Sequence, residues 1–170
     1  DTHYVKEGET LVRAGDTEFA QDPTFGYRSS DLKEWIEEKT GGQYPASKVK
    51  SVSLELLREK NIKRVTAILL SLRDFDKVIV NAIDDNDLKV FVIALADSLK
   101  RGKRFIFRTA ASFLRAVGGI KPAPLLTQTK LYPKGRPESP GMVIAGSFVQ
   151  KTTGQLEKLR ELPEMEWIEW

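Results

Sequence analysis

The 170 residues carry 27 Lys and Arg against 24 Asp and Glu, a net charge of +3, and 41% hydrophobic residues, the composition of one folded domain with a sizeable core. With no cysteine and a single histidine, His3, the chain excludes disulfides, thiolate metal sites, a cysteine nucleophile, a Ser-His-Asp triad and a multi-histidine metal centre. Its basic residues are dispersed, which argues against nucleic acid, and no apolar run approaches the roughly 20 residues that span a bilayer, so a soluble, cytoplasmic protein without a membrane partner is expected.

Residues 3–12 read as an edge β-hairpin, two short apolar-polar segments around Lys6-Glu7-Gly8-Glu9. The run 17–30, TEFAQDPTFGYRSS, comes next and leads straight into a helix at Asp31. A helix start carries unpaired amides and about half a unit of positive charge, so Arg28, Ser29 and Ser30 there suit a carboxylate or phosphate. Equally, Ser and Asp are ordinary caps of a helix that serves no ligand. Asp31 and Glu34 have the spacing of a capping box, Leu32, Trp35 and Ile36 give the apolar face, and Gly41-Gly42 ends the helix.

From there the pattern alternates strand and helix, as in a mostly parallel sheet with helices on both faces, a Rossmann-like three-layer α/β fold. Residues 48–53 and 77–82 are strands, separated by a helical region from Leu54 that breaks near Asn61 and continues through Val65, Ile68, Leu69 and Leu72. Asp84-Asp85 caps a helix with Leu88, Phe91, Val92, Leu95 and Leu99 on one face. Residues 104–108 form a short strand, 109–117 a helix ended by Gly118-Gly119, and 120–140, with five prolines, a long loop. A buried strand over 142–145, a helix from Thr152 or Thr153 through Leu159, and a strand over 165–170 complete one domain spanning 1–170. Both ends have the look of a fragment of a longer protein.

Ligands of open parallel sheets bind beyond the carboxyl ends of the strands, which selects the turns after them. Arg108, Thr109 and Ser112 in RTAAS put a guanidinium and hydroxyls where a helix begins, a cradle for a carboxylate or polyol, or else a cap beside a surface Arg. Gly146 permits close backbone approach and Ser147 a hydroxyl in the crevice, with Lys151, Thr152 and Thr153 after them. Neither G-x-x-x-x-G-K-[ST] nor G-x-G-x-x-G occurs, so no nucleotide fingerprint is present. Asp84, Asp85 and Asp87 read as helix capping before they read as metal ligands, so no metal site is assigned, and Phe105-Ile106-Phe107 reads as core before it reads as an RNA platform.

Three stretches, TEFAQDPTFGYRSSDLKEWIEEKTGG, RTAASFLRAVGG and GSFVQKTTGQLEKL, in this order and at these separations, resemble the four-carbon acid sugar kinases, some earlier labelled Hrp-dependent type III effectors. The resemblance implies the amino-terminal, sugar-binding domain of a two-domain enzyme that uses ATP and Mg²⁺ to phosphorylate threonate, erythronate or 3-oxo-tetronate type acids at the terminal hydroxyl. Its partners would be the small acid substrate and a carboxy-terminal nucleotide-binding domain of the same chain, with homo-oligomerisation left open. Arg28, Ser29, Ser30, Arg108, Thr109 and Ser112 would fall on the substrate side, although RTAAS departs from the G-S-A-G-like loop of many members. Gly146 and Ser147 would fall near the nucleotide. The acidic D-D-x-x-G type motif and the K-x-D-S-x-x-R-G segment of family members do not occur here, so the catalytic base has no counterpart and the chain alone is expected to be inactive. The alternative function is a non-catalytic ligand-binding or protein-interaction module, and a parent gene running on for roughly 200 residues, one further domain, would discriminate against it.

Overall fold

A computed structural model describes residues 1–136, 139, 141–147, 149–163 and 165–169. Pro137 and Pro140 of the proline-rich loop, Phe148 of the third motif and Trp170 of the last expected strand lie outside the described residues.

The chain opens with a hairpin of β1 (Tyr4–Glu7) and β2 (Thr10–Arg13), paired from Tyr4↔Arg13 to Glu7↔Thr10. Gly8 at its tip has φ +59°, the left-handed conformation such a tight turn demands. The open end of the hairpin is tied to the start of the first helix. His3 donates its N–H to the Ser30 carbonyl at 2.8 Å, and Thr2 bridges to Asp31. Two 3-10 turns, Ala14–Asp16 and Glu18–Gln21, carry the chain to α1 (Leu32–Lys39).

A βαβ unit forms the centre: β3 (Lys50–Val52), α2 (Leu54–Arg58), α3 (Ile62–Leu70) and β4 (Val78–Val80), with β3 and β4 parallel in the register Ser51↔Ile79. The break between α2 and α3 falls at Lys60, whose φ of +53° stops the first helix, and Asn61, whose side chain accepts the Arg64 N–H to start the second. Helix α4 (Asp85–Lys100) then packs on α3, and α5 (Ala111–Val117) packs on α4. The buried cluster takes Val52 from β3, Val65 and Leu69 from α3, Phe91 and Leu95 from α4, and Phe113 from α5. Each fully buried Leu or Val contributes ~1.5–3 kcal/mol of hydrophobic stabilisation, so these few positions hold the unit together.

On α4 the buried face is Phe91, Ala94, Leu95 and Ser98, one i, i+3, i+4, i+7 stripe, whereas Leu99 is 45% exposed. The expected face is thus rotated toward two small residues. Ala94 and Ser98 are fully buried, and the Ser98 hydroxyl is satisfied by the Ala94 carbonyl at 2.9 Å.

The structure is mixed α/β, but among the described residues its parallel sheet is the pair β3–β4 rather than a larger three-layer array. Among the described residues, no strand forms at 104–108 or 142–145, nor over the described part of the strand expected at 165–170. Phe105 packs on the core while Ile106 is 92% exposed, and Met142, Val143 and Ile144 are all exposed. An apolar run becomes a strand only where a neighbour completes its hydrogen-bond ladder, and the backbone N–H groups of 104–108 and 142–145 donate no such bond to the described residues. At 165–169 the chain turns back so that Arg160 lies over the Trp167 ring, 5.0 Å from its centre. Short α6 (Gln128–Leu131) interrupts the proline-rich loop, and α7 (Gln150–Arg160) begins before the expected Thr152. No helix among the described residues is long and apolar enough to cross a membrane.

Candidate functional site

The run 17–30 is held by its own hydrogen bonds before any ligand is considered. Thr17, 3% exposed, donates its hydroxyl to the Ala14 carbonyl at 2.7 Å. The Asp22 carboxylate accepts the N–H groups of Phe25 at 2.7 Å and Thr24 at 2.8 Å, closing an Asx turn around Pro23. The Phe25 amide first, then that of Thr24, hold the Asp22 carboxyl below the usual aspartate range, with burial opposing weakly. Gly26 sits where a Cβ would lie 2.4 Å from the Asp22 carbonyl oxygen and 2.6 Å from that of Ala20, so only glycine closes this loop.

The last turn of α1 reaches back and clasps the run. Lys39 donates to the Phe25 carbonyl at 3.3 Å and to that of Gly26. Glu38 accepts the backbone N–H groups of Arg28 at 3.1 Å and Ser29 at 3.2 Å. Burial pushes the Glu38 carboxyl up, but those two amides, with Lys39 and Arg28 nearby, outweigh it and leave the group below its ordinary range. These amides therefore already have an anion, supplied by the protein.

The two serines divide their work. Ser29 Oγ donates to Glu34 Oε2 at 2.7 Å and accepts the Asp31 N–H at 3.1 Å. The Asp31 carboxylate accepts from Lys33 N–H at 2.8 Å and Glu34 N–H at 3.4 Å. The expected capping box is thus half formed, because Glu34 spends its carboxylate on Ser29, and Ser29 rather than Glu34 takes the Asp31 amide. Ser30 Oγ accepts the Gly15 N–H at 2.8 Å, where Gly15 lies so close that a Cβ would come within 2.4 Å of the Arg28 carbonyl oxygen.

Beside this scaffold lies an open cavity of about 340 Å³ lined by Arg13, Asp16, Arg28, Ser29, Ser30 and Glu34, with Thr2 and Asp31 completing it. That volume lies at the small end of the ~300–1,000 Å³ typical of small-molecule sites. Its walls are hydroxyls, carboxylates and guanidiniums, the groups that bind carboxylates and polyols. Among the described residues, Arg28 has no ion-pair partner within 4.0 Å, whereas Lys33, on the next turn, is paired with Asp1 at 3.1 Å.

Arg108, Thr109 and Ser112 do not line this cavity. Arg108 instead lies over the Trp35 ring on α1, 4.7 Å from its centre, linking the second motif to the helix of the first. Thr109 and Ser112 are exposed at the start of α5, whose N-cap position is Ala110 and has no side-chain acceptor. The Phe107 and Phe113 rings lie 5.4 Å apart and those of Phe113 and Phe91 6.0 Å, yet of the run expected as core only Phe105 packs on it, Ile106 and Phe107 being exposed.

Gly146 and Ser147 stand apart. Among the described residues, no atom approaches a Cβ placed on Gly146 within 4 Å, and Ser147 Oγ accepts the Val149 N–H at 3.2 Å. The first amide of α7, that of Gln150, is taken by Glu18 Oε2 at 3.0 Å. With a carboxylate already at the helix start, these residues do not fit a triphosphate as they are placed. The three aspartates at the start of α4 are likewise engaged: Asp84 and Asp87 form a reciprocal capping box, Asp87 meets Arg58 at 3.5 Å, and Asp85 pairs with Arg115. At the carboxyl ends of β3 and β4, Asn81 Nδ2 donates to the Val52 carbonyl at 3.0 Å and to Asp1 Oδ1 at 2.8 Å.

Sequence reasoning passed over Arg13, Asp16 and Glu38. Arg13 and Asp16 reach the cavity only because the hairpin folds back onto residues 28–31, a contact with no local signal. Glu38 had a weak one, a carboxylate on the helix end that returns toward the Gly26 turn.

The family model for the sugar-binding N-terminal domain matches residues 1–117, which takes in the cavity, the βαβ unit, α4 and α5. No curated protein and no solved structure matches the chain. On the match over residues 1–117, the chain belongs to the sugar-binding N-terminal domain family, the domain of the four-carbon acid sugar kinases.

Proposed function

We propose that this chain is the substrate-binding part of a kinase that phosphorylates a four-carbon acid sugar of the threonate, erythronate or 3-oxo-tetronate type at its terminal hydroxyl, in the cytoplasm. The observation that carries the reading is Arg28, a guanidinium without an ion-pair partner among the described residues, on the same cavity as Ser29 and Ser30 in a sugar-binding domain. Arg28 would hold the carboxylate of the acid, and the serine hydroxyls and Glu34 would meet its hydroxyl groups. Arg108, through its stack on Trp35, would fix the orientation of α1 rather than touch the acid. ATP with Mg²⁺ supplies the phosphoryl group and neutralises its charge in such transfers. The residues near Gly146 and Ser147 do not fit that group as placed, so we assign transfer to a further domain of the parent protein.

Arg28→Ala tests the site. Acid binding to the full chain, monitored by calorimetry or amide shifts with erythronate and threonate, should weaken about tenfold or more, the worth of a charge-assisted hydrogen bond of ~1.5–3 kcal/mol. The melting temperature should barely move, because the side chain forms no ion pair among the described residues and borders the open cavity. Equal affinity in variant and parent would remove Arg28 from the site. For the parent protein, a coupled assay over a panel of tetronates should release ADP with at least one of them, and silence across the panel would sink the kinase reading.

A further inference from the structure

Two further charged side chains face the same cavity from an element outside the three motifs. Arg13 closes strand β2 and Asp16 sits in the 3-10 turn after it. Neither forms an ion pair within 4.0 Å among the described residues, and neither side chain makes a hydrogen bond to another described residue. This is unusual for its surroundings. Nearby Lys33, Glu34, Glu38 and Lys39 are all bound to neighbours. The backbone that carries the pair is fixed: Ala14 N–H donates to the His3 carbonyl at 3.0 Å, and Gly15 is pinned against Arg28 and Ser30. Two guanidiniums and one carboxylate, all exposed and without a protein partner among the described residues, are thus carried by a fixed backbone around one small space.

Resting on the reading of this cavity as the acid-sugar site, we propose that Arg13 and Asp16 complete it, Arg13 sharing the carboxylate end with Arg28 and Asp16 accepting from the substrate hydroxyls, so that the cavity selects hydroxy acids over neutral polyols and over plain acids. A carboxylate has about four acceptor positions, enough for two guanidiniums, and a polyol hydroxyl needs an acceptor, which Asp16 offers without sharing it with a protein donor as Glu34 and Asp31 do. The side chains Arg13 and Asp16 answer those two needs with opposite charge. Selectivity then comes from unpaired groups: erythritol leaves both guanidiniums without an anion, and butyrate leaves Asp16 without a donor.

Amide-shift titration of the full ¹⁵N-labelled chain with erythronate, threonate, erythritol and butyrate tests this. The parent should bind at least one tetronate better than erythritol or butyrate. Arg13→Gln should weaken tetronate binding about tenfold and narrow the gap to erythritol, whereas Arg13→Lys should recover part of the loss. Asp16→Asn should narrow the gap between tetronate and butyrate. If the parent binds a tetronate at residues 28–30 and Arg13→Gln and Asp16→Asn bind it equally well with unchanged selectivity, the assignment of these two residues falls while the site stands. If neither tetronate shifts any cavity amide of the parent, the site itself falls and this assignment with it. A melting curve on each variant separates lost binding from lost folding.

Discussion

A missing side chain decides the geometry of the site at Gly15. Its hydrogen replaces a methyl that would lie 2.4 Å from the Arg28 carbonyl oxygen and 2.8 Å from Ser30 Oγ, and its N–H is the donor that Ser30 accepts. Gly15→Ala must therefore push the hairpin away from residues 28–30. We expect a loss of ~1–3 kcal/mol by urea denaturation, typical of overpacking, together with lost tetronate binding. Gly146→Ala, where no described residue stands within 4 Å, should leave the urea midpoint nearly unchanged. A Gly15→Ala protein as stable as its parent would show that the hairpin is not seated as described.

Among the elements, α1 does more than end the motif. Its first turn takes up Ser29 and its last turn, through Glu38 and Lys39, holds the loop that precedes it. The Glu38 carboxyl lies below its ordinary value, so its folded form binds protons less readily than its unfolded form. Stability from this group is fully present above the unfolded value, about pH 4.3, and is lost as pH falls through the folded one. Glu38→Gln should be less stable than the parent at pH 7, and the difference should shrink toward pH 3 in paired urea titrations. A difference of equal size at both pH values would mean that charge plays no part in the clasp. The start of helix α4 was legible, because Asp84 caps it as expected and the apolar period begins one turn beyond. The face of α4 was less legible, since Ala94 and Ser98 are small enough to be buried without being strongly apolar.

For the whole molecule, what the sequence made legible divides by range. The hairpin, α1, the break at Asn61, β3, β4 and α4 were readable because their turn and cap residues are local. The strands expected at 104–108, 142–145 and 165–170, absent from the described residues, were not, since strand formation depends on a partner that no short apolar run can specify. The cavity was half legible for the same reason: residues 28–30 announce themselves, whereas Arg13 and Asp16 arrive through tertiary folding. Amide exchange should divide in the same way. Amides of α3 and α4 around Val65, Leu69 and Leu95 should be protected to near the global unfolding free energy, and those of residues 104–108, 121–126 and 142–145, which donate no backbone hydrogen bond to the described residues, should exchange rapidly. Protection across 104–108 would instead reveal a sheet wider than β3–β4. The cavity wall at residues 28–30 is tied down within the chain, the Arg28 and Ser29 amides donating to Glu38 and the Ser30 hydroxyl accepting from the Gly15 amide. The entropy of arranging that wall is therefore lost during folding, and an arriving acid gives up little more than its own translation, rotation and hydration.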